Sequence, residues 1–239
     1  QTQLSRAERL ATLGQVAAGI AHEIRNPLVG IGSTASLLRD DIDPSDPKRA
    51  DLDIILNETR RVGRIVNQDI LFARPRDLVP TTWLFQDAVQ DVLKLLDARI
   101  HAQRITVTHH SDHAITVYAD RDQIKQVLLN LCHNALDAMP DGGSLRFDAS
   151  ETSRDDKPSV LIEIADTGPG IPAQALAQVF QPFFTTGKRH GTGLGLAICR
   201  NIVEAHGGDI ALSSQMGSGT TARLWLPLKT STSMTGEIL

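Results

Sequence analysis

His22-Glu23-Ile24-Arg25-Asn26-Pro27 gathers an imidazole, a carboxylate and an amide on one short helical stretch. A neutral imidazole near pH 7 is a nucleophile, and a carboxylate next to it in sequence accepts its proton or hydrogen bond. Asn26, a turn further on, is of a type that orients a water. Read alone, the same residues also describe a surface histidine beside an ordinary helical charge, so the rest of the chain must decide.

The second half carries further groups of this kind. Asn130-Leu131-Cys132-His133-Asn134-Ala135 sets two amides one turn apart, and amide oxygens are hard, neutral ligands suited to magnesium arriving with nucleotide phosphates. Asp166-Thr167-Gly168-Pro169-Gly170-Ile171 ends an apolar run with an acid that accepts from an exocyclic amine, and with glycines that let backbone approach a flat base. A tight turn is the alternative. Gly191-Thr192-Gly193-Leu194-Gly195-Leu196 runs into a helix whose first amides are able to cradle phosphates. It lies too far downstream, with the wrong spacing, for a dinucleotide fold, and there is no GxxxxGK[ST] loop. Between these blocks, Val179-Phe180-Gln181-Pro182-Phe183-Phe184 offers an aromatic anchor for a lid, or packs as a surface loop. Gly217-Ser218-Gly219-Thr220 precedes the last strand and reads equally as a hairpin turn.

Positioning these groups falls to recognisable elements. Leu10, Leu13, Ala17, Ile20, Ile24, Pro27, Ile31, Thr34 and Leu38 alternate three and four apart, which predicts a helix to about residue 40 with a buried seam. His22 falls at position f, outside that seam. Pro27 lacks an N–H, so the Glu23 carbonyl loses its helical partner and a kink is expected beside the histidine. Asp40 to Pro47 breaks the pattern, and a second helix runs from about Lys48 to the Arg74-Pro75-Arg76 stop. A lone antiparallel hairpin cannot cover both apolar stripes, whereas two side by side make a four-helix bundle, so a homodimer is expected. After a linker, helices are predicted at 84–98, 121–138 and 194–206. Strands are predicted at 105–109, 115–118, 145–150, 160–165, 209–213 and 220–227, together an α+β domain.

Composition narrows the partners. Net charge is −4 without a long basic run, which argues against nucleic acid and a membrane surface. Cys132 and Cys199 have neither metal-ligand spacing nor a disulfide framework, and a reducing cytoplasm is the expected compartment. No apolar run reaches a bilayer-spanning length, and the N-terminus has no signal-peptide pattern. The first residue is Gln inside a helical pattern, as expected for a piece of a longer protein with an upstream sensor or membrane region.

From about Arg6 to Leu228, five blocks in this order resemble the catalytic core of a bacterial two-component sensor histidine kinase. His22 to Pro27 is similar to the family's phosphoacceptor box, Asn130 to Ala135 to its N box, and Asp166 to Gly170 to its first glycine box. Val179 to Phe184 is similar to the F box and Gly191 to Leu196 to the second glycine box. The resemblance implies a dimerisation and phosphotransfer hairpin at 1–74, a linker at 75–80 and an ATP-binding domain at 81–230, and the loose polar composition of the last residues predicts a flexible tail at 231–239. The resemblance also implies that the second domain has the Bergerat-type fold shared with gyrase, a mixed sheet layered against helices. It implies further that His22 attacks the γ-phosphate of ATP with Glu23 assisting, and that Asn134, with Asn130 nearby, holds Mg2+. Asp166 would read the adenine, and Gly168, Gly170, Ile171, Phe180, Thr192, Gly193, Leu194, Gly195, Leu196 and Thr220 would line the nucleotide. The phosphoryl group would pass to an aspartate on a response-regulator receiver domain, with Asn26 placing water for the reverse phosphatase activity. Thr185-Thr186-Gly187-Lys188 departs from the family's usual Thr-Thr-Lys, which leaves Lys188 and Arg189 without a role. A nucleotide-binding scaffold and a gyrase-type clamp are the competing readings. The clamp leaves the hairpin unexplained and has Asn130 where an activating glutamate is expected.

Overall fold

The computed structural model describes residues 24, 26–65, 77–111, 114–185 and 193–228. The chain divides into two units, Gln1–Asp77 and Leu78–Leu239.

In the first unit, helix α1 covers residues 26–41 and α2 covers Lys48–Ile65. The turn between them is built from acids. Asp43 Oδ1 accepts from the Ser45 amide at 2.9 Å and its hydroxyl at 2.6 Å, and Asp46 accepts from the Lys48 amide at 2.9 Å, just ahead of the helix. Arg39 donates to Asp53 at 3.3 Å, and a Cβ on Gly32 would sit 3.4 Å from Thr59, so the two helices run antiparallel.

The line of contact differs from the expected seam. Ala35 and Leu56 are buried, whereas Ile31 and Leu38 remain 49% and 50% exposed, and Pro27 and Thr34 are exposed as well. The spacing marks an apolar stripe but not which edge of it meets the partner helix within the chain, and here that is the edge through Leu28, Gly32 and Ala35. The expected kink turns on Glu23, which lies outside the described residues; Pro27 itself is helical.

The second unit opens with β1 (Thr81–Leu84), α3 (Phe85–Ala102), β2 (Ile105–Ser111), β3 (Thr116–Ala119) and α4 (Arg121–Ala138). It continues with β4 (Gly143–Arg154), β5 (Lys157–Asp166), α5 (Ala173–Leu176), α6 (Gly195–Ala205), β6 (Asp209–Gln215) and β7 (Gly219–Pro227). Five strands form one sheet in the order β2-β4-β5-β7-β6, parallel between β2 and β4 and antiparallel elsewhere, and β1 pairs with β3 in a separate ladder. The mixed sheet against helices expected from the resemblance is therefore present.

Alternation along the strands divides the two faces of the sheet. Leu145, Phe147 and Ala149 of β4, Val160, Ile162 and Ile164 of β5, and Ala222, Leu224 and Leu226 of β7 enter one core with apolar residues of α3, α4 and α6. Outward positions carry charge instead. Arg223 reaches Glu163 at 2.7 Å, and Arg154 pairs with Asp209 while its guanidinium lies 3.7 Å from the centre of the Trp225 ring.

Helix α4 is anchored at its start. Asp120 Oδ1 accepts from the amides of Asp122 and Gln123, each at 3.1 Å, and its Oδ2 accepts from the Val79 amide at 3.2 Å. The Asp120 amide in turn donates to Nε2 of His206 at 3.0 Å, and the opposite ring nitrogen lies 2.7 Å from the Ile202 carbonyl oxygen. Among the described residues, no helix is long and apolar enough to cross a membrane.

Candidate active site

The described site is strung along α4, whose polar stripe begins with two buried amides, Gln126 and Asn130. Gln126 Nε2 donates to Asn130 Oδ1 at 2.9 Å, and Asn130 Nδ2 donates to the carbonyl of Gly195, the first residue of α6, at 3.4 Å. Asn130 thus ties the helix of the N box to the helix that follows the second glycine box. Its oxygen is engaged by Gln126. Asn134 lies one turn on and is half-buried.

At its other end, α4 meets the turn after β5. Asp166, the last residue of that strand, accepts at Oδ1 from the Gly168 amide at 2.9 Å and the Thr220 amide at 3.2 Å, and Thr220 is its register partner on β7. Gly168 is buried with room for no side chain, since a Cβ there would stand 3.0 Å from that of Ala138. Gly170 has φ +78°, and a Cβ would lie 2.2 Å from the Gln215 carbonyl oxygen. Ser214 closes the arrangement. Its hydroxyl accepts from the Ile171 amide at 2.8 Å, donates to the Gly219 carbonyl at 2.8 Å, and lies 3.0 Å from the Thr220 hydroxyl. Gly217-Ser218-Gly219 does form the β6–β7 turn, with φ +79° and +94° at its glycines, and through Thr220 the same turn also clasps Asp166.

Phe183, in the block between the two glycine boxes, is pinned to the second. The Phe183 amide donates to the Gly193 carbonyl at 3.0 Å, and the positive φ of Gly193 brings its backbone against that of Phe183 and Phe184. Phe180 packs half-buried on the core, with the Arg200 guanidinium 5.4 Å from its ring centre. Leu194 and Leu196 also pack against the core, and the Leu194 carbonyl accepts the Ile198 amide at 2.9 Å, starting α6.

His22, Glu23, Thr192, Lys188 and Arg189 lie outside the described residues, whereas Asn26 is exposed on α1. The described residues expected at the nucleotide fall on five segments of the second unit: α4, the β5–α5 turn, the stretch after α5 that carries Phe180, the start of α6, and the β6–β7 turn. Sequence reasoning passed over Gln126 and Ser214. Gln126 alone had a local signal, four residues before Asn130 on the same helix face. Cys132 and Cys199 are fully enclosed, and burial pushes both thiols up to about 12, which leaves them inert.

Residues 12–77 match the family model of the His Kinase A (phospho-acceptor) domain, and residues 119–230 match that of the Histidine kinase-, DNA gyrase B-, and HSP90-like ATPase. Sensor histidine kinase ZraS of Escherichia coli (strain K12) is 36% identical over 229 residues, covering 95% of this chain and 48% of ZraS. The chain therefore spans about half the length of that relative. Among solved structures, the catalytic domain of histidine kinase ThkA is 33% identical at a TM-score of 0.56, covering 62% of this chain and 95% of that one. ThkA in complex with response regulator protein TrrA is 32% identical at a TM-score of 0.66, covering 93% and 64%. Full-length ShkA in complex with AMPPNP is 28% identical at a TM-score of 0.74, covering 89% and 45%. Such a phosphoacceptor hairpin followed by such an ATPase domain defines a protein-histidine kinase core. This chain belongs to the family of two-component sensor histidine kinases.

Proposed function

We propose that the chain binds Mg-ATP in its second unit, phosphorylates itself on His22, and passes the phosphoryl group to an aspartate of a response-regulator receiver domain. The observation that carries this reading is the way α4 is tied to both glycine boxes, through Asn130 to Gly195 and through Ala138 against Gly168. A nucleotide laid along that helix has Asp166 at its base end and the first turn of α6 at its phosphate end. Gly168 and Gly170 let the turn after β5 pack against Ala138 and Gln215, which keeps Asp166 at the end of α4 where the base would lie.

The residues divide the work. Asp166, oriented by the Gly168 and Thr220 amides, accepts from the adenine amino group, and Gly170 and Ile171 border the ring. Phe180, Thr192, Gly193, Leu194, Gly195 and Leu196 enclose the ribose and phosphates. Asn134 is the ligand for magnesium, whose charge offsets that of the phosphates when bound. Asn130 serves the site by holding Gly195 in place. An imidazole nitrogen of His22 then forms a bond to the γ-phosphorus as the bond to the β,γ-bridging oxygen breaks, and ADP leaves with that electron pair. Glu23 takes the proton or hydrogen bond of the ring. Transfer of this kind rests on positioning and charge neutralisation.

The exposed apolar residues Ile31, Leu38, Ile54 and Ile55 fit burial against a second copy of the hairpin in a four-helix bundle. ThkA was solved with a response regulator, which supports a receiver domain as the partner here. Asn26, exposed on α1, suits the positioning of water for dephosphorylation of that partner. We assign residues 1–74 to dimerisation and phosphotransfer, 75–80 to a linker, and 81–230 to nucleotide binding.

Incubation with γ-labelled ATP and magnesium should place an acid-labile, base-stable label on the chain. Substitution His22→Gln should remove it, and a label that survives refutes the assignment.

A further inference from the structure

Arg99 lies on α3, outside every block that resembles the family, yet it reaches across to α4 beside Asn134. Its Nη2 donates to Asp137 Oδ1 at 2.5 Å, and its Nη1 lies 3.4 Å from Nδ1 of His133. Arginine only donates, so this contact is a hydrogen bond when Nδ1 of His133 carries no proton. His133 and Asp137 are four residues apart on one helix and straddle Asn134. One guanidinium therefore braces both flanks of the proposed magnesium ligand.

The charge of Asp137 makes this matter. Asp137 stands three residues from Asn134 on α4, so its carboxylate projects from a helix face adjoining that of the proposed ligand. Even with magnesium bound, ATP keeps net negative charge, and additional negative charge beside it repels the ligand. Arg99 cancels that charge without itself needing to touch the nucleotide. We propose that Arg99 is a positioning residue for the nucleotide site, neutralising Asp137 and fixing His133 so that Mg-ATP binds at Asn134.

This inference rests on the ATP-site reading, and one titration separates the two. Calorimetry of the full 239-residue chain with magnesium and a non-hydrolysable ATP analogue gives the reference affinity. If the unaltered chain fails to bind, the ATP site falls and this proposal falls with it. If it binds, Arg99→Met should weaken binding roughly three- to tenfold while melting temperature changes little, as expected of a partly exposed pair. The deficit should narrow in high salt, which screens the repulsion. Adding Asp137→Asn to the Arg99→Met chain should restore affinity to within about twofold of the unaltered protein. A purely structural brace predicts no such rescue. Equal affinity of Arg99→Met and the unaltered chain overturns the role of Arg99 alone. So does tighter binding, which would mean the released Asp137 attracts the metal rather than repelling phosphate.

Discussion

Asp166 has two separable duties, because Oδ1 holds the Gly168 and Thr220 amides while the carboxylate as a whole is assigned to the adenine amino group. Asp166→Asn keeps an oxygen acceptor for the two amides and gives up the charge. It should bind nucleotide at least about tenfold more weakly while costing less than about 1 kcal/mol of stability. Asp166→Ala leaves both donors without that oxygen and should lose about 1–3 kcal/mol in addition. Comparing calorimetric affinity with denaturant midpoints tests both, and equal destabilisation by the two variants would merge the duties. The acid itself was legible from its place after an apolar run and before glycines. Its clasp was not, since Thr220 is 54 residues away and Ser214 reaches Ile171 across 43, and no local pattern records such pairs.

At the scale of the element, α4 shows why some parts of the fold were readable and others were not. Its apolar spacing, with Ile124, Val127, Leu128, Leu131 and Ala135 buried, and its capping Asp120 announce the helix and its start. The strands β4 and β5 are as plain, because alternation makes one face apolar. By contrast, β1 is four residues long and is held by β3 from far along the chain, and α5 is a single turn. Neither has length enough for a period to appear. The cap also predicts an outcome. Asp120→Ala removes the acceptor for Asp122, Gln123 and Val79, which should cost about 1 kcal/mol and lower the melting temperature of the second unit by about 3 °C. Asp120→Asn should lose much less, and a thermal scan showing equal losses would assign the effect to charge rather than capping.

For the molecule as a whole, the hairpin leaves more apolar surface than its own two helices cover. The seam read from the sequence exists as a stripe, but in the described structure Ile31 and Leu38 stand outside the α1–α2 contact. Patterning reveals that a surface is apolar without saying which chain supplies its cover. If a second hairpin does, Ile31→Asp combined with Leu38→Asp should convert a dimer to monomer in sedimentation, with helicity largely kept. A dimer that persists would place the interface elsewhere.

The pairing of Asp166 with Thr220 also orders events in time. The acid belongs to β5, but the amide that orients it arrives with β7, the last strand of the sheet. Synthesis through α6 leaves the Asp166 carboxylate held by the Gly168 amide alone, and the Thr220 amide joins it only when β7 docks on the sheet.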